Sequence, residues 1–584
     1  MRTTERTQVL VVGGALTGLS SALFLAAHGV DVTVVERHPD LLNHPRLRGI
    51  TPRTVEIYRE VGLETAIRQQ SFVDAGDDEL DAPFVPLRAE TLADEYEPVA
   101  EMVEGTYVDP RRYSPCRYGS IDQDKLEKLL RARALELGAR LHYATEFVSF
   151  DTDADGVTAV LRDRPAGSVE AAGSTEAAGS VEAGAGGSWT IRADYLIAAD
   201  GVRSQIRHAL GIDVDGPGVL FETITAMVGV DLADVVRGRP VGIAYLQRPR
   251  PFSTMMAHDN AGTQWLFSTG IDPERESVAD FGDERIAAMV ADAAGKPGIP
   301  VTVHPQIPNT QVKVLRFPIG AQLAREYARG RVFLVGDAAR IQPPTGGFGG
   351  STGVQDAHNL AWKLAAVLDG RAGAGLLATY QQERRPYGEL AMWQAFARFG
   401  DRMADGAAIE LLDTAAVTAG YRYVSSAVPG GSADSTPVHP LELDATPGTR
   451  APHREFPDGS STLDLFGREF VLLTTEQLSA AWSLAVEKCA AELGTAVAVH
   501  ALPAEVAQAY RLIGGNVPGE PEGLDVPANH RGPADPAEAV LVRPDGFVAW
   551  RASLPAARSG ERDRSGERDR AGELTGVLQA VLHR

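Results

Sequence analysis

The chain has 584 residues, 44% of them hydrophobic, with 78 acidic against 56 basic side chains and a formal charge of −22. That is enough apolar material for two or three cored domains, and the acidity argues against nucleic acid or an anionic membrane as a partner. Two cysteines, Cys116 and Cys489, exclude a disulfide framework and a cysteine-rich zinc site, so the expectation is a cytoplasmic protein, monomer or homodimer, with no metal.

Arg2 and Arg6 precede an apolar run from Val9 to Val30. Gly13, Gly14, Thr17 and Gly18 interrupt that run and a second strand follows, which marks a βαβ unit rather than a signal peptide. No uninterrupted apolar run is long enough to cross a bilayer. Val9–Val12 reads as a strand, Gly18–His28 as a helix and Val32–Glu36 as a second strand. Between them lies Gly13-Gly14-Ala15-Leu16-Thr17-Gly18. In such a loop the first glycine makes the tight turn and the last lets helix and strand pack closely. A pyrophosphate sits at the helix start, and Glu36 takes the ribose hydroxyls. An acid there favours an unphosphorylated adenosine ribose. Ala15 stands where a third glycine is usual.

A helix is expected at Gln123–Leu137, then short strands around Leu141–Phe150 and Val157–Leu161. Residues Ala166–Ala183 repeat a hexapeptide of Ala, Gly, Ser and Glu with Val or Thr. That composition cannot bury a face, so 166–187 is expected to be a disordered hairpin tip without a chemical role. Tyr195–Ala199 then delivers Asp200-Gly201 to a turn, with Ser204 and Arg207 opening a helix. From about Gly216 to Gln322 strands follow one another: Thr223–Val230, Val241–Leu246, Thr254–His258, Gln264–Ser268 and Gln311–Phe317. They suggest a mostly antiparallel inserted sheet.

The nucleotide pattern returns at Val332–Val335. This strand ends in Gly336-Asp337, and a loop, Pro343-Pro-Thr-Gly-Gly-Phe-Gly-Gly-Ser-Thr352, leads into a helix over Thr352–Leu368. Apolar residues three and four apart give that helix one buried face. Its N-terminal dipole points into the loop, where it stabilises negative charge. A carboxylate at a strand end and bare amides at a helix start suit a polyhydroxylated, partly anionic cofactor. Two such signatures more than three hundred residues apart point to FAD. Pro429–Pro452 reads as a linker. After it, Phe470–Thr474, Thr495–His500, Val540–Arg543 and Phe547–Trp550 supply strands for a small αβ domain. Ser-Gly-Glu-Arg-Asp-Arg at Ser559 and Ser565 forms a solvated charge run before a short last helix.

These three elements, in this order, resemble the single-component FAD-dependent aromatic hydroxylases, the family of para-hydroxybenzoate hydroxylase. The stretch Gly346–Leu364, with Arg450–His453, Ser461–Gly467 and Val542–Trp550, is similar to the aromatic polyketide hydroxylases of the tetracenomycin and anthracycline type. The resemblance covers nearly the whole chain apart from the low-complexity segments. It implies an α/β fold: an FAD-binding Rossmann-like domain (1–215 and 323–400) with an inserted, mostly antiparallel substrate-domain sheet (216–322). A helical segment and linker (401–444) and a C-terminal thioredoxin-like αβ domain (445–584) without Cys-x-x-Cys complete it. Cys489 alone cannot cycle as a dithiol, which leaves that domain structural.

The resemblance also implies a site. The FAD set is Gly13, Gly14, Ala15, Leu16, Thr17 and Gly18 at the pyrophosphate, Glu36 and Arg37 at the adenosine end, and Arg46 and Gln123 toward flavin and ribityl chain. Val148, Asp200 and Asp337 join it, with Pro344, Gly347, Gly349, Gly350, Ser351 and Thr352 around the ring. Arg203 and Ser204 share the Asp200 motif, and Arg48 serves either FAD or the NADPH phosphate. Pro344 borders the flavin face where oxygen reacts. Arg340 stands where the family often has histidine, and Ser351 where asparagine is common.

The activity implied is a monooxygenase. NADPH or NADH reduces FAD, O2 adds to give the C4a-hydroperoxide, and an electrophilic oxygen passes to a polycyclic phenol or quinone. Phenolate reacts faster than phenol, so either a base or a donor-rich pocket assists. Tyr245, His258 and His304 on the inserted sheet are candidates for it. The residues proposed at the reacting centre are therefore Arg48, Pro344, Tyr245 and His258. Trp265, Phe267, Met255 and Met256 fit either the pocket wall or the core. Baeyer–Villiger-type insertion and a non-catalytic protein that shields an aromatic intermediate stay open as alternatives. A flavin halogenase does not, because it needs a Trp-x-Trp pair and no two tryptophans here are two apart.

Overall fold

The computed structural model describes all residues except 1–3, 43–46, 72–86, 99–107, 165–186, 238–240, 260–261, 308, 403–408, 513–535 and 554–568. Arg46, nearly all of the 166–187 loop and most of the charged tail repeat therefore lie outside the described residues. The chain forms two compact units. One comprises 1–109, 117–357 and 388–411, the other 110–116, 358–387 and 412–584. Among the described residues no helix is long and apolar enough to cross a membrane.

The first unit opens with β1 (Glu5–Val12), α1 (Leu16–Ala27) and β2 (Val32–Val35). α2 (Pro52–Glu60), β3 (Leu87–Ala89) and α3 (Gln123–Glu136) follow. β4 (Arg140–His142), β5 (Thr145–Thr152), β6 (Val157–Asp163) and β7 (Ser188–Ala198) lead to β8 (Val214–Gly229). Then come β9 (Ala244–Leu246), β10 (Ser253–Ala257), β11 (Gln264–Ile271), α4 (Asp283–Ala294) and β12 (Thr302–His304). β13 (Val314–Ala324) and β14 (Val332–Leu334) follow, then α5 (Phe348–Leu368) and α6 (Ala378–Arg402), whose residues 358–387 belong to the second unit.

Five strands run parallel in the order β14-β7-β1-β2-β4. Val9–Val12 and Val32–Val35 are buried throughout, as parallel strands covered on both faces must be. β7 is long enough to serve two partners on one edge. Its first half pairs antiparallel with β6, and Leu196–Ala198 pairs with β14. The β6–β7 register, Arg162 opposite Ser188, closes the hairpin on either side of the repeat.

β8 is the spine of the second sheet. β13, β12 and β11 pair with it, and β10, β9 and β3 extend the sheet from β11. Every pairing is antiparallel except β9 with β3. One face packs into a core: Ile224, Ala226, Val228, Ala244, Leu246, Met255, Trp265 and Phe267 against Ile286 and Val290 of α4. Side-chain alternation along a strand therefore assigns Trp265, Phe267 and Met255 to the core. Tyr245, Thr254 and Met256 take the other face.

α5 differs from its expected one-sided burial. It starts at Phe348, and Ser351 through Ala366 are all buried, polar residues included. In the second unit, β15 (Phe470–Thr475), α7 (Glu476–Leu493), β16 (Val497–Leu502), α8 (Ala504–Ala509), β17 (Ala537–Val542), β18 (Val548–Ser553) and α9 (Arg570–Leu582) follow in order. The sheet runs β16-β15-β17-β18, parallel only between β15 and β16. Phe470 and Leu472 face one cluster with α7 and α9, while Val471 and Leu473 face another with α8. The passage read as a linker carries buried Leu443, Ala445 and Arg450, whose guanidinium donates to Tyr113 O at 2.7 Å.

Candidate functional site

The motifs meet because β1, β7, β14 and β2 are parallel neighbours, so the loops leaving their C-terminal ends share one crevice, the usual ligand position in such sheets. Gly13 follows β1, Asp200 follows β7, Gly336-Asp337 follows β14 and Glu36 follows β2. The approach is tight. A Cβ on Gly13, at φ +107°, would lie 2.2 Å from Ala199 O, and one on Gly18 would lie 1.8 Å from Gly13 O. Gly336 and Gly353 both abut Thr17, each with a would-be Cβ 2.6 Å from its Oγ1. Gly350 abuts Leu47 and Leu16. The opening loop and the late glycine loop are thus one structure.

Glu36 folds back on the first loop. Oε2 accepts from Gly14 N at 2.7 Å, and Oε1 accepts from His38 N at 2.9 Å and contacts His38 Nδ1 at 2.5 Å. Burial raises its pKa, but the His38 hydrogen bond and charge and the two amides outweigh that and lower it to about 2. Arg37 is exposed beside it. Ala15 is the N-cap of α1 and makes no side-chain cap bond. The cap comes from α3, where Glu127 Oε1 accepts from Leu16 N at 2.8 Å and from Gln123 Nε2 at 2.7 Å. A carboxylate at this helix start shows where an anion is stabilised. Glu127 had no sequence signal beyond its place one turn after Gln123.

Asp200 Oδ2 accepts from Ile206 N at 3.2 Å, and Ser204 caps the short helix through Arg207 N. Desolvation raises the Asp200 pKa, and its Oδ1 is buried without a hydrogen-bond partner. Arg203 is exposed in the same turn. Asp337, Pro344 and Ala15 are exposed between buried neighbours, and Gly347 is exposed as well. Gly346 and Gly347 take φ of +78° and +64° in succession, a conformation that favours glycine. Ser351 Oγ accepts from Thr51 N at 3.3 Å, and Thr352 Oγ1 donates to Phe348 O at 2.7 Å. The unpartnered Asp200 oxygen, the glycine-lined crevice and the anion-ready start of α1 fit FAD. Val148 stands exposed on β5, in the antiparallel meander rather than in either glycine loop.

Two charged groups stand beside the loops. Arg340 pairs with Asp356, which also accepts from Gly336 N. Arg48 and His258, expected singly, are brought to one carboxylate, Asp122. Arg48 Nε lies 3.2 Å from Oδ1 and His258 Nδ1 lies 3.5 Å from Oδ2. Desolvation lowers both the Arg48 and the His258 pKa, with the neighbouring aspartates opposing it. Asp122 was missed because an aspartate before a helix reads as a cap. Tyr245 lies on the same sheet face as Met256, whereas His304 lies on β12 beside Gly229, at a surface hollow with Asp231, Thr263 and Pro300.

Comparison with known proteins gives the family. Residues 6–395 match a family described as FAD binding domain, and 444–568 match aromatic-ring hydroxylase, C-terminal. The tetracenomycin A2 monooxygenase-dioxygenase of Streptomyces glaucescens is 38% identical over 581 residues, covering 96% of each chain. The aklavinone 12-hydroxylase of Streptomyces purpurascens is 36% identical, covering 99% of each. The solved ternary complex of aklavinone-11 hydroxylase with FAD and aklavinone superposes with a TM-score of 0.80 at 33% identity, covering both chains fully. The chain is a flavoprotein monooxygenase and belongs to the FAD-dependent aromatic hydroxylase family, in its polyketide hydroxylase subgroup.

Proposed function

We propose that this enzyme hydroxylates a polycyclic phenol or quinone of polyketide type, using NADPH or NADH and O2, in secondary-metabolite biosynthesis. The carrying observation is the convergence of the four strand-end loops, with Arg48 and Asp122 on the loop side drawn to His258 at the end of β10. Bound FAD, once reduced, supplies the electrophilic oxygen atom from O2. The chain does the remainder. Gly13–Gly18 and the start of α1 hold the pyrophosphate, Glu36 the ribose, and Asp200 and Asp337 the ribityl chain. Arg48 and Pro344 border the ring.

His258 is the proton acceptor for the substrate hydroxyl. Its lowered pKa keeps it neutral near pH 7, as a base must be. Flat apolar walls favour several fused rings. Phe221 stacks on Phe399 at 5.8 Å between ring centroids and lies 6.3 Å from Phe252, on the sheet face that carries Tyr245. Exclusion of water by such walls protects the activated oxygen. We also read residues 1–215 with 323–400 as the FAD domain and 216–322 as the substrate domain. The sheet order β16-β15-β17-β18, with helices after β15, β16 and β18, supports a thioredoxin-like C-terminal domain. Cys489 is buried and alone on α7, so its role there is structural.

The test is substrate-dependent consumption of NAD(P)H and O2 by the FAD-loaded chain with hydroxyanthraquinones, with product mass read in parallel. Gain of one oxygen atom per NAD(P)H supports the reading. Oxidation of NAD(P)H that never adds oxygen to any aromatic counts against it.

A further inference from the structure

Asp122 occupies the N-cap of α3, where an aspartate ordinarily accepts from the second or third helical amide. Its backbone is right for that task (φ −71°, ψ 147°), yet the side chain makes no cap bond. Forgoing a cap costs about 1 kcal/mol, and the carboxylate is wholly buried. It turns instead toward the second sheet. Arg48 Nε stands 3.2 Å away, Lys125 Nζ 3.1 Å and His258 Nδ1 3.5 Å. Asp124, also buried, completes the group, with ligand atoms of Asp122, Asp124 and His258 all within 4.8 Å of one another. Asp122 Oδ1, Asp124 Oδ1 and His258 Nδ1 are buried and make no hydrogen bond of good geometry. Local rules broken in this way mark a functional position.

The cluster is also in the right place. Leu47, next to Arg48, abuts Gly350 of the late glycine loop, and its carbonyl accepts from Gln123 N, next to Asp122. His258 follows β10 on the face of Thr254 and Met256, its amide donating to Gln264 O. Asp122 therefore bridges the loop side and the sheet side. A divalent cation is the rival occupant of three such ligands. It would enter between Arg48 and Lys125, whose two charges already balance Asp122 and Asp124. A proton requires no such displacement.

We propose that Asp122 is a positioning residue: it fixes Arg48 and orients the His258 imidazole with Nδ1–H toward itself, leaving Nε2 to take the hydroxyl proton of the aromatic substrate. This rests on the reading of His258 given above. The substrate O–H bond breaks, the proton joins Nε2, and the electron pair stays on oxygen as phenolate, which donates toward the ring carbon that is attacked. The imidazolium returns its proton to water after product leaves. The groups facing His258 are Asp122, Asp124, Lys125 and Arg48. The two acids favour the imidazolium, the two bases disfavour it, and burial keeps the resting ring neutral.

Histidine side-chain NMR on the FAD-loaded full chain tests the coupling without turnover, the His258 signal being the one lost in His258→Gln. In Asp122→Asn the His258 midpoint should fall by about one pH unit, roughly tenfold in proton affinity, and the Nδ1–H tautomer should lose its preference. Lys125→Met, on the other side of the charge balance, should raise the midpoint and serves if Asp122→Asn does not fold. A His258 midpoint that ignores these changes overturns the proposal, as does saturable Zn2+ or Mg2+ binding that Asp124→Asn abolishes. In hydroxylation of a hydroxyanthraquinone, Asp122→Asn and His258→Gln should each lower kcat roughly 10²-fold, and the double variant should be no worse than the worse single one. Full activity in His258→Gln defeats the proton-acceptor reading itself. Slow His258→Gln beside fast Asp122→Asn defeats only the role given to Asp122.

Discussion

Arg340 and Asp356 form a buried ion pair, Nη1 to Oδ2 at 2.5 Å, directly beneath the Gly336 turn, whose amide donates to the same oxygen at 3.2 Å. Arg340 is supplied by the strand after the Gly336 turn, and α5 supplies the matching carboxylate. Burial lowers the Arg340 pKa, but the charge of Asp356 more than reverses this and holds it above the ordinary guanidinium value. The pair thereby fixes the turn that presents Asp337. Removing one partner leaves a buried charge alone, at a cost of about 3–5 kcal/mol, whereas replacing both by apolar groups is far milder. Asp356→Ala should lower the chemical-denaturation stability by that amount and lose FAD. Arg340→Met with Asp356→Leu should recover much of the stability and little of the FAD retention. Equal stability of Asp356→Ala and the parent would refute the argument.

Asp337 itself is exposed on its turn, so truncating it removes little packing. Asp337→Ala should keep the melting temperature of the apo chain within about 1 °C, since exposed substitutions stay within ±0.5 kcal/mol. It should nonetheless weaken FAD retention about tenfold, the value of one charge-assisted hydrogen bond to a ribityl hydroxyl. Visible flavin absorbance after desalting measures this. Unchanged occupancy removes Asp337 from the site.

Two small residues of the opening loop, Gly18 and Ala15, are not equivalent. Gly18 has no room for a methyl, with Gly13 O 1.8 Å from the built Cβ, while the Ala15 side chain is exposed. Gly18→Ala should pry α1 from β1 and leave protein that is insoluble or without FAD. Ala15→Gly should change FAD affinity by less than about threefold, its entropic cost of about 0.5–1 kcal/mol falling on the helix start. Affinity titration of apo protein with FAD separates the two.

Much of this was legible in the chain. Glycines at 13, 18 and 336 report close backbone approaches that only the fold explains, and their spacing around apolar strands announces it. The alternation in β8 to β11 gives strands, but alternation cannot say which face is core. Trp265 and Phe267 proved to be core because α4, a later segment, packs on their side. Asp122 and Glu127 were hidden for a similar reason. Each sits in an ordinary helix-start pattern, and its real partner, His258 for one and Leu16 for the other, is more than a hundred residues away. The one-sided reading of α5 failed because buried Asp356 and Lys363 find opposite charges that periodicity cannot foresee.

Glu36 makes stability pH-dependent in a defined window. Its folded pKa, about 2, lies below the ordinary 4.5. Folding therefore gains from the ionised carboxylate above about pH 4.5 and loses that gain as pH falls toward 2. The difference corresponds to about 3 kcal/mol. Glu36→Gln should be less stable than the parent at pH 7 and nearly as stable at pH 2.5, by urea denaturation at both. A gap that does not narrow in acid would show that the carboxylate, bonded to Gly14 N and His38, contributes through shape and not charge.

In the second unit, Glu383 is the hub of a fully buried network. Oε1 and Oε2 accept from Arg543 at 2.5 and 2.9 Å, and Oε2 also accepts from Lys363 Nζ and from Asn359 Nδ2, both at 2.7 Å. Arg543 continues to Asp545, so two acids balance two bases with no water needed. Burial alone would raise the Glu383 pKa, but Arg543 and Lys363 hold it well below the carboxylate range. Burial lowers the Lys363 pKa to about 8 despite its partner. Glu383→Ala strands Lys363 and leaves Arg543 with Asp545 alone, and should cost about 3–5 kcal/mol, with Lys363 shedding its proton below neutrality to limit the damage. Stability of Glu383→Ala should then rise with pH between about 6 and 9, because the unfolded lysine binds the proton that the folded one has lost. Adding Lys363→Met should remove that slope. A Glu383→Ala variant with flat pH dependence would mean that water reaches the cavity and keeps the lysine charged.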